Sequence, residues 1–319
     1  GDYTITVYAT NAAGRSAAQT FSWHVEDLDD DVVGAFQGLV DSDAGLNSDL
    51  GGSLTAKVTG TGTYSGAVQL GSKRYSFKGL LDSAPGTDPT SSSTITRRGL
   101  PSLVLTLTIS NSTGELTGSI TDGTDSAGLL ARRNPWNART ASAEAFAGYY
   151  TFGMDLSSNI GDPAVPQGTG YGTATASTGG TIKWAGRLAD GTAVTGSSIF
   201  DLGGLWSSFN LLYAAKGSLH GWRDMDLGPG VNFSLNTMGG SLTWLRQPQA
   251  ATVRLYSGGF GPISLNVHGG KYTKPSAGVI VLGLDDPTTF VDGKNAVIAF
   301  AGGGIETASR FAGLDLEAF

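Results

Sequence analysis

The chain has no cysteine in its 319 residues. That removes disulfides, thiolate metal sites and a thiol nucleophile. Charge is scarce as well: 15% of residues are Asp, Glu, Lys or Arg, where about a quarter is usual. The formal net charge of −7 leaves no electrostatic footprint for nucleic acid or an anionic membrane. No apolar run reaches the length of a membrane-spanning helix. Only three histidines occur; His24, His220 and His268 lie too far apart for ligand spacing, and there is no H-E-x-x-H. A serine on a G-x-S-x-G elbow is also missing. The run Gly168-Thr169-Gly170-Tyr171-Gly172 is followed by no Gly-Lys-Ser/Thr and opens no helix, so it does not read as a phosphate loop.

Glycine is abundant instead, at 49 residues, about twice its typical share. Spread among Thr, Ser, Leu and Val, it suits short strands joined by tight turns. Hydrophobic residues at 39%, with 13 Phe, 10 Tyr and 6 Trp, provide enough apolar surface for a folded core. Low charge, no cysteine and plentiful Thr, Ser and Gly together read as an exported bacterial protein, extracellular or on the cell surface.

Residues 1–26 carry the clearest local pattern. Tyr3, Ile5, Val7 and Ala9 alternate with Thr4, Thr6, Tyr8 and Thr10, predicting a half-buried strand. Asn11-Ala12-Ala13-Gly14 is the turn, and Phe21, Trp23 and Val25 continue on the return strand. The wording G-x-Y-x-I-x-V-x-A-x-N-x-x-G resembles the last hairpin of bacterial Ig-like (cadherin-like) domains, which implies the end of such a module. Residues 27–32 follow as an acidic linker.

An internal repeat organises the rest. Gly34-Ala35-Phe36 answers to Gly148-Tyr149-Tyr150, and Gly60 to Gly66 to the stretch Gly180 to Gly186, which sets Tyr64 against Trp184. Gly114 to Gly118 matches Gly217 to Gly221, and Arg133-Asn134-Pro135 matches Arg246-Gln247-Pro248. This gives units of roughly 110 residues at 33–143 and 144–249, with 250–319 as a partial third unit ending in a short helical stretch from Ile305. Alternation at Leu54-Ala56-Val58, Val104–Ile109, Ile182–Leu188 and Ile263-Leu265-Val267 supplies the strands. The fold class expected is all-β, with tandem antiparallel barrels or sandwiches. The Gly-x-aromatic-x-Gly motifs resemble those of small eight-stranded barrels of bacterial surface lipoproteins. The whole resembles large multidomain surface or autotransporter-type proteins, which implies adhesion, display or scaffolding.

Two sets of residues stand out as candidate sites. Asp41, Asp43, Asn47 and Asp49 share one loop around Gly45 and could offer oxygen ligands to calcium. Trp206, Trp222 and Trp244, with Tyr213, cluster in the second unit, and flat aromatic faces suit sugar rings. By the repeat alignment Trp222 and Trp244 fall opposite Ser119 and Ala131, which makes them specific to that unit. Calcium is the one cofactor suggested. The expected partners are a glycan or neighbouring protein subunits, with no nucleic acid and no membrane insertion.

The first functional expectation is a non-enzymatic structural or adhesive segment. The alternatives are a carbohydrate-binding module of an extracellular enzyme and a strand-exchanging subunit of an extracellular filament. A hydrolase would need two acids close together, one with a raised pKa.

Overall fold

A computed structural model describes residues 2–24, 27–84, 86–228, 233–276, 296–299 and 311–314. The chain divides into two compact units, Gly1–Tyr272 and Thr273–Phe319. In the first, β1 (Asp2–Val7) pairs antiparallel with β4 (Gln19–His24), and the short strands β2 (Thr10–Asn11) and β3 (Gly14–Arg15) extend the reversal. The Ala13 amide donates to Asn11 Oδ1 at 2.9 Å, and Gly14 takes a φ of +125° that a side chain would resist. Tyr3, Val7 and Phe21 stay exposed. The half-buried strand expected there is not found, because a two-stranded ribbon has no second layer to pack against.

Two eight-stranded antiparallel sheets follow, each curling into a barrel. The first is built from β5 (Gly34–Val40), β6 (Gly52–Val58), β7 (Thr63–Leu70), β8 (Lys73–Leu80), β9 (Thr90–Ile95), β10 (Leu103–Ile109), β11 (Glu115–Thr121) and β12 (Ser126–Asn134). A single helical turn, α1 (Ala44–Asn47), sits between β5 and β6. The second contains β13 (Gly148–Leu156), β14 (Gly170–Ala176), β15 (Thr181–Arg187), β16 (Ala193–Ile199), β17 (Trp206–Leu212), β18 (Gly217–Asp226), β19 (Thr237–Arg246) and β20 (Phe260–Lys271). In both, sequential strands pair as a meander and the last strand returns to the first: β12 pairs with β5, and β20 with β13.

Period-two alternation fills the interiors. On β10, Leu103, Leu105, Leu107 and Ile109 are buried inside, while Val104, Thr106 and Thr108 face out. Each such buried side chain contributes about 1.5–3 kcal/mol. The second interior is larger and more aromatic, holding Tyr150, Phe152, Trp184, Phe200, Trp206 and Trp244.

Three sequence expectations are corrected. Ile263, Leu265 and Val267 do alternate, but they lie on β20, which closes the second barrel between β13 and β19. The second barrel therefore runs to Lys271, and the boundary at 249/250 falls inside it. Beyond it, β21 (Ala296–Ala299) pairs with β22 (Phe311–Leu314), so a strand stands in the stretch expected to be helical. The rest of that stretch, from Ile305, lies outside the described residues.

The repeat alignment also slips. It is right for the first and third strands of each barrel, but β11 is a seventh strand and β18 a sixth. Arg133 and Arg246 likewise lie on an eighth and a seventh strand. The glycines of these motifs answer to close backbone approach: a Cβ on Gly118 would collide with the Thr106 carbonyl oxygen, and one on Gly221 with that of Ser241. Such a need recurs on different strands, so the motif does not number them. Trp222 and Trp244 thus have their counterparts on β10 and β11, and not at Ser119 and Ala131.

Each meander leaves a seam between its fourth and fifth strands. In the first barrel the seam is pinned at one end by the Asp82–Thr90 bridge and by Ser91, which bonds the Tyr64 hydroxyl (2.9 Å) and the Leu80 carbonyl (3.0 Å). In the second it is pinned by the Phe200–Trp206 bridge and by Asn210 Nδ2 donating to the Thr195 carbonyl at 2.7 Å.

The barrels pack on one another. Gln37 Nε2 donates to the Ser197 carbonyl (3.3 Å), and Gln247 Nε2 to that of Ser48 (2.7 Å). Trp136, in the connection between the barrels, donates to the Asp201 carbonyl at 3.0 Å and packs edge-on against Phe146.

Candidate functional site: the cleft between the barrels

The acidic loop folds around its own hydrogen bonds. Asp43 caps α1, accepting from the amides of Gly45 (3.0 Å) and Leu46 (2.8 Å). Asn47 is 3% exposed; its Oδ1 accepts from the amides of Asp43 and Gly51, and its Nδ2 donates to the Asp41 carbonyl. Asp49 is exposed and adopts a left-handed φ of 62°. The four residues proposed for calcium therefore do not converge on one point. The short loop needs Asp43 and Asn47 for its turn, and among the described residues no group of three or more His, Asp or Glu could hold a metal ion.

The aromatic candidates separate into two kinds. Trp206 and Trp244 are fully buried in the second barrel. Trp244 Nε1 donates to the Tyr213 hydroxyl at 3.1 Å, and that hydroxyl donates to Asp190 Oδ2 at 2.6 Å. Burial and the Asp190 carboxylate hold the Tyr213 phenol far above its ordinary pKa. The Arg246 guanidinium lies over the Tyr213 ring at 4.4 Å and pairs with Asp190 at 3.5 Å. This closed network ties the β15–β16 turn to β19 and leaves neither Tyr213 nor Trp244 free to stack on a ligand. That corrects three of the four aromatic candidates.

Trp222 is different. On β18 the alternation turns Leu219, Arg223 and Met225 inward and sets His220, Trp222 and Asp224 on the outer face. That face borders a cleft of about 500 Å³ between the barrels, completed by Asp41 and Ser42 just beyond β5 and by Thr243 on β19. Gly128 makes room for Asp41: a Cβ there would stand 2.6 Å from its Oδ2. Burial raises the Asp224 pKa, with Asp226 adding repulsion. Burial lowers that of His220 against the opposing pull of Asp41. The cleft thus presents one half-buried indole among carboxylates, hydroxyls and a largely neutral imidazole. Sequence reasoning missed His220 and Asp224, although their i, i+2, i+4 spacing around Trp222 placed all three on one strand face.

Inside the same barrel, and outside the cleft, lies Arg223. It is 0% exposed and its guanidinium sits 4.2 Å from the Trp184 ring, 4.7 Å from Trp206 and 5.2 Å from Phe152. Its Nε, Nη1 and Nη2 have no hydrogen-bond partner among the described residues. Burial pulls its pKa down to about 9.

No family model matches the chain, and no curated protein matches it. Among solved structures, the chain is similar to a candidate outer membrane protein of Bacteroides fragilis at 10% identity and a TM-score of 0.24, covering 77% of this chain and all of that one. A protein of unknown function from Nostoc punctiforme, of family DUF3598, gives 10% identity and 0.23, covering 76% of this chain and 97% of that one. A candidate AttH protein of Nitrosomonas europaea gives 10% and 0.21, with coverage of 78% and 95%. The strand pairing by itself defines the class, an all-β protein of two tandem eight-stranded barrels.

Proposed function

We propose that this chain is a non-enzymatic adhesive segment of an exported bacterial surface protein, and that it binds a saccharide in the cleft between its barrels. Trp222 carries the reading. Trp184, Trp206 and Trp244 are core residues, whereas Trp222 lies half-buried in a cleft with the acceptors and hydroxyls of both barrels around it. An apolar ring face bordered by a few converging polar groups is what a sugar ring requires. The cysteine-free, weakly charged composition supports an exported location. The barrel interiors are packed with apolar side chains, the reverse of a membrane barrel, whose apolar band faces outward.

Asp224 supports a second reading. A carboxyl with a raised pKa sharing a cleft with Asp41 has the makings of the acid pair of a glycosidase.

A glycan array probed with the whole chain and with Trp222→Ala tests both readings. Adhesion predicts binding to one glycan class, lost in the variant while thermal unfolding is unchanged. Release of reducing ends, abolished by Asp224→Asn, would move the assignment to the hydrolase. Silence from the wild-type chain would overturn the saccharide reading.

A further inference from the structure

The two seams have different surroundings. In the second barrel, the outer face of β5 and β6 from the first barrel covers the β16–β17 seam. Gln37, Gly38 and Ser53 lie against Ser197 of β16 and Ser208 and Phe209 of β17, and the space left between them is only about 60 Å³. The Gln37 amide makes a hydrogen bond to the Ser197 backbone there. The matching seam of the first barrel, between β8 and β9, is open among the described residues. It forms a groove of about 780 Å³ floored by Phe77 and Ile95 and rimmed by Arg74, Ser76, Lys78 and Thr94. All four rim residues are exposed.

The chain also carries a second copy of the covering face. The register makes β13–β14 equivalent to β5–β6: Ala35↔Lys57, Gln37↔Thr55 and Leu39↔Ser53 in one correspond to Tyr149↔Thr175, Thr151↔Thr173 and Gly153↔Tyr171 in the other. On β5–β6 this face is covered by the second barrel. On β13–β14 no other barrel covers it among the described residues; Tyr149, whose ring meets that of Tyr272 edge-on, is 43% exposed and Tyr171 61%. Exposed tyrosines are the side chains that anchor interfaces. Within the chain, the same two strands of the first barrel already close the equivalent seam of the second.

We infer that the occupant of the open β8–β9 seam is the β13–β14 face of a second copy of this chain, docked as the first barrel docks on the second within one chain. The contact joins unlike surfaces, so it is head-to-tail and leaves a free seam at one end and a free face at the other.

The test uses the full chain and two surface variants, Ser76→Arg in the seam and Thr151→Arg on the face, each checked for an unchanged unfolding midpoint. Sedimentation velocity should show wild-type chains associating with concentration. Each variant alone should weaken self-association at least about tenfold. A mixture of the two should restore one complex of a single Thr151→Arg chain with a single Ser76→Arg chain that grows no further, because only one seam and one face remain usable. A wild-type chain monomeric up to about 1 mM would overturn the proposal. So would association unaffected by either change, or blocked by the seam change alone, which would assign the seam to a different partner.

Discussion

Tyr64 and Trp184 occupy the same position in the two barrels: each lies on the third strand, and each ring covers a glycine directly opposite on the fourth, Gly79 and Gly196. Both aromatics are buried. A Cβ at Gly196 would stand 2.6 Å from Trp184 Nε1, and one at Gly79 would meet the Tyr64 hydroxyl oxygen. Gly79→Ala and Gly196→Ala should each destabilise the fold by about 1–3 kcal/mol through overpacking. Urea unfolding followed by tryptophan fluorescence measures this. No loss at either site would mean the rings move aside freely.

The tryptophans of the second barrel should divide by mutation as they divide by burial. Trp244→Ala removes a fully buried ring and the hydrogen bond to Tyr213, and it should cost about 3–5 kcal/mol. Trp222→Ala, at the cleft, should cost much less and act on ligand binding. Denaturation midpoints of the two variants, measured side by side, decide it; equal losses would place Trp222 in the core.

Arg223 offers a case in which removing a charge should help. Its guanidinium is wholly buried with no acceptor among the described residues, and three rings are its company. Desolvating such an ion costs several kcal/mol, which stacking on a desolvated ring offsets by about 2 or more. Because its pKa is depressed to about 9, the penalty is fully present at neutral pH and is relieved only as pH rises from there toward the unfolded value. Arg223→Met should leave stability unchanged or raise it by about 1–2 kcal/mol. Arg223→Lys should lower it, since an ammonium stacks less well and is more strongly hydrated. A large loss in the Met variant would show that the cation has a partner.

The cleft should give the protein opposed pH responses. The depressed pKa of His220 means the unfolded chain takes up its proton first. Stability is therefore lost as pH falls below about 6.5, and His220→Gln should flatten that limb. The raised pKa of Asp224 has the other sign: its contribution is present below about pH 3.9 and is lost as pH rises through the folded value. Asp224→Asn should therefore stabilise the protein at neutral pH. Unfolding midpoints across a pH series test both, and coincident curves for variant and parent would discount the residue concerned.

Much of the fold was legible in the sequence because the information is local. Alternation at Val104–Ile109 or Ile182–Leu188 comes from a pleat with one wet side. What sequence could not number was the order of strands. Glycines such as Gly118 and Gly221 meet the same steric need in strands of different rank, and so the repeat slipped by one strand and the eighth strand passed for a new unit. The site was harder still. Trp222 looks like Trp244 in sequence, but Trp222 faces out from β18 and Trp244 faces into the barrel from β19, and only the arrival of Asp41 from the other barrel turns that outer face into a cleft. The acidic loop failed in the reverse sense, since its carboxylate and amide groups serve its own turn.

Asn134 pairs with Ala35, and Lys271 pairs with Tyr150, so the polypeptide departs from each barrel beside the point where it entered. A closed ring whose entry and exit adjoin behaves as a cassette. It can be duplicated, lost or spliced into a host chain without breaking any ladder outside itself. Lengthening such a protein by whole barrels leaves every existing strand with its own neighbours, and evolution can adjust reach by counting units.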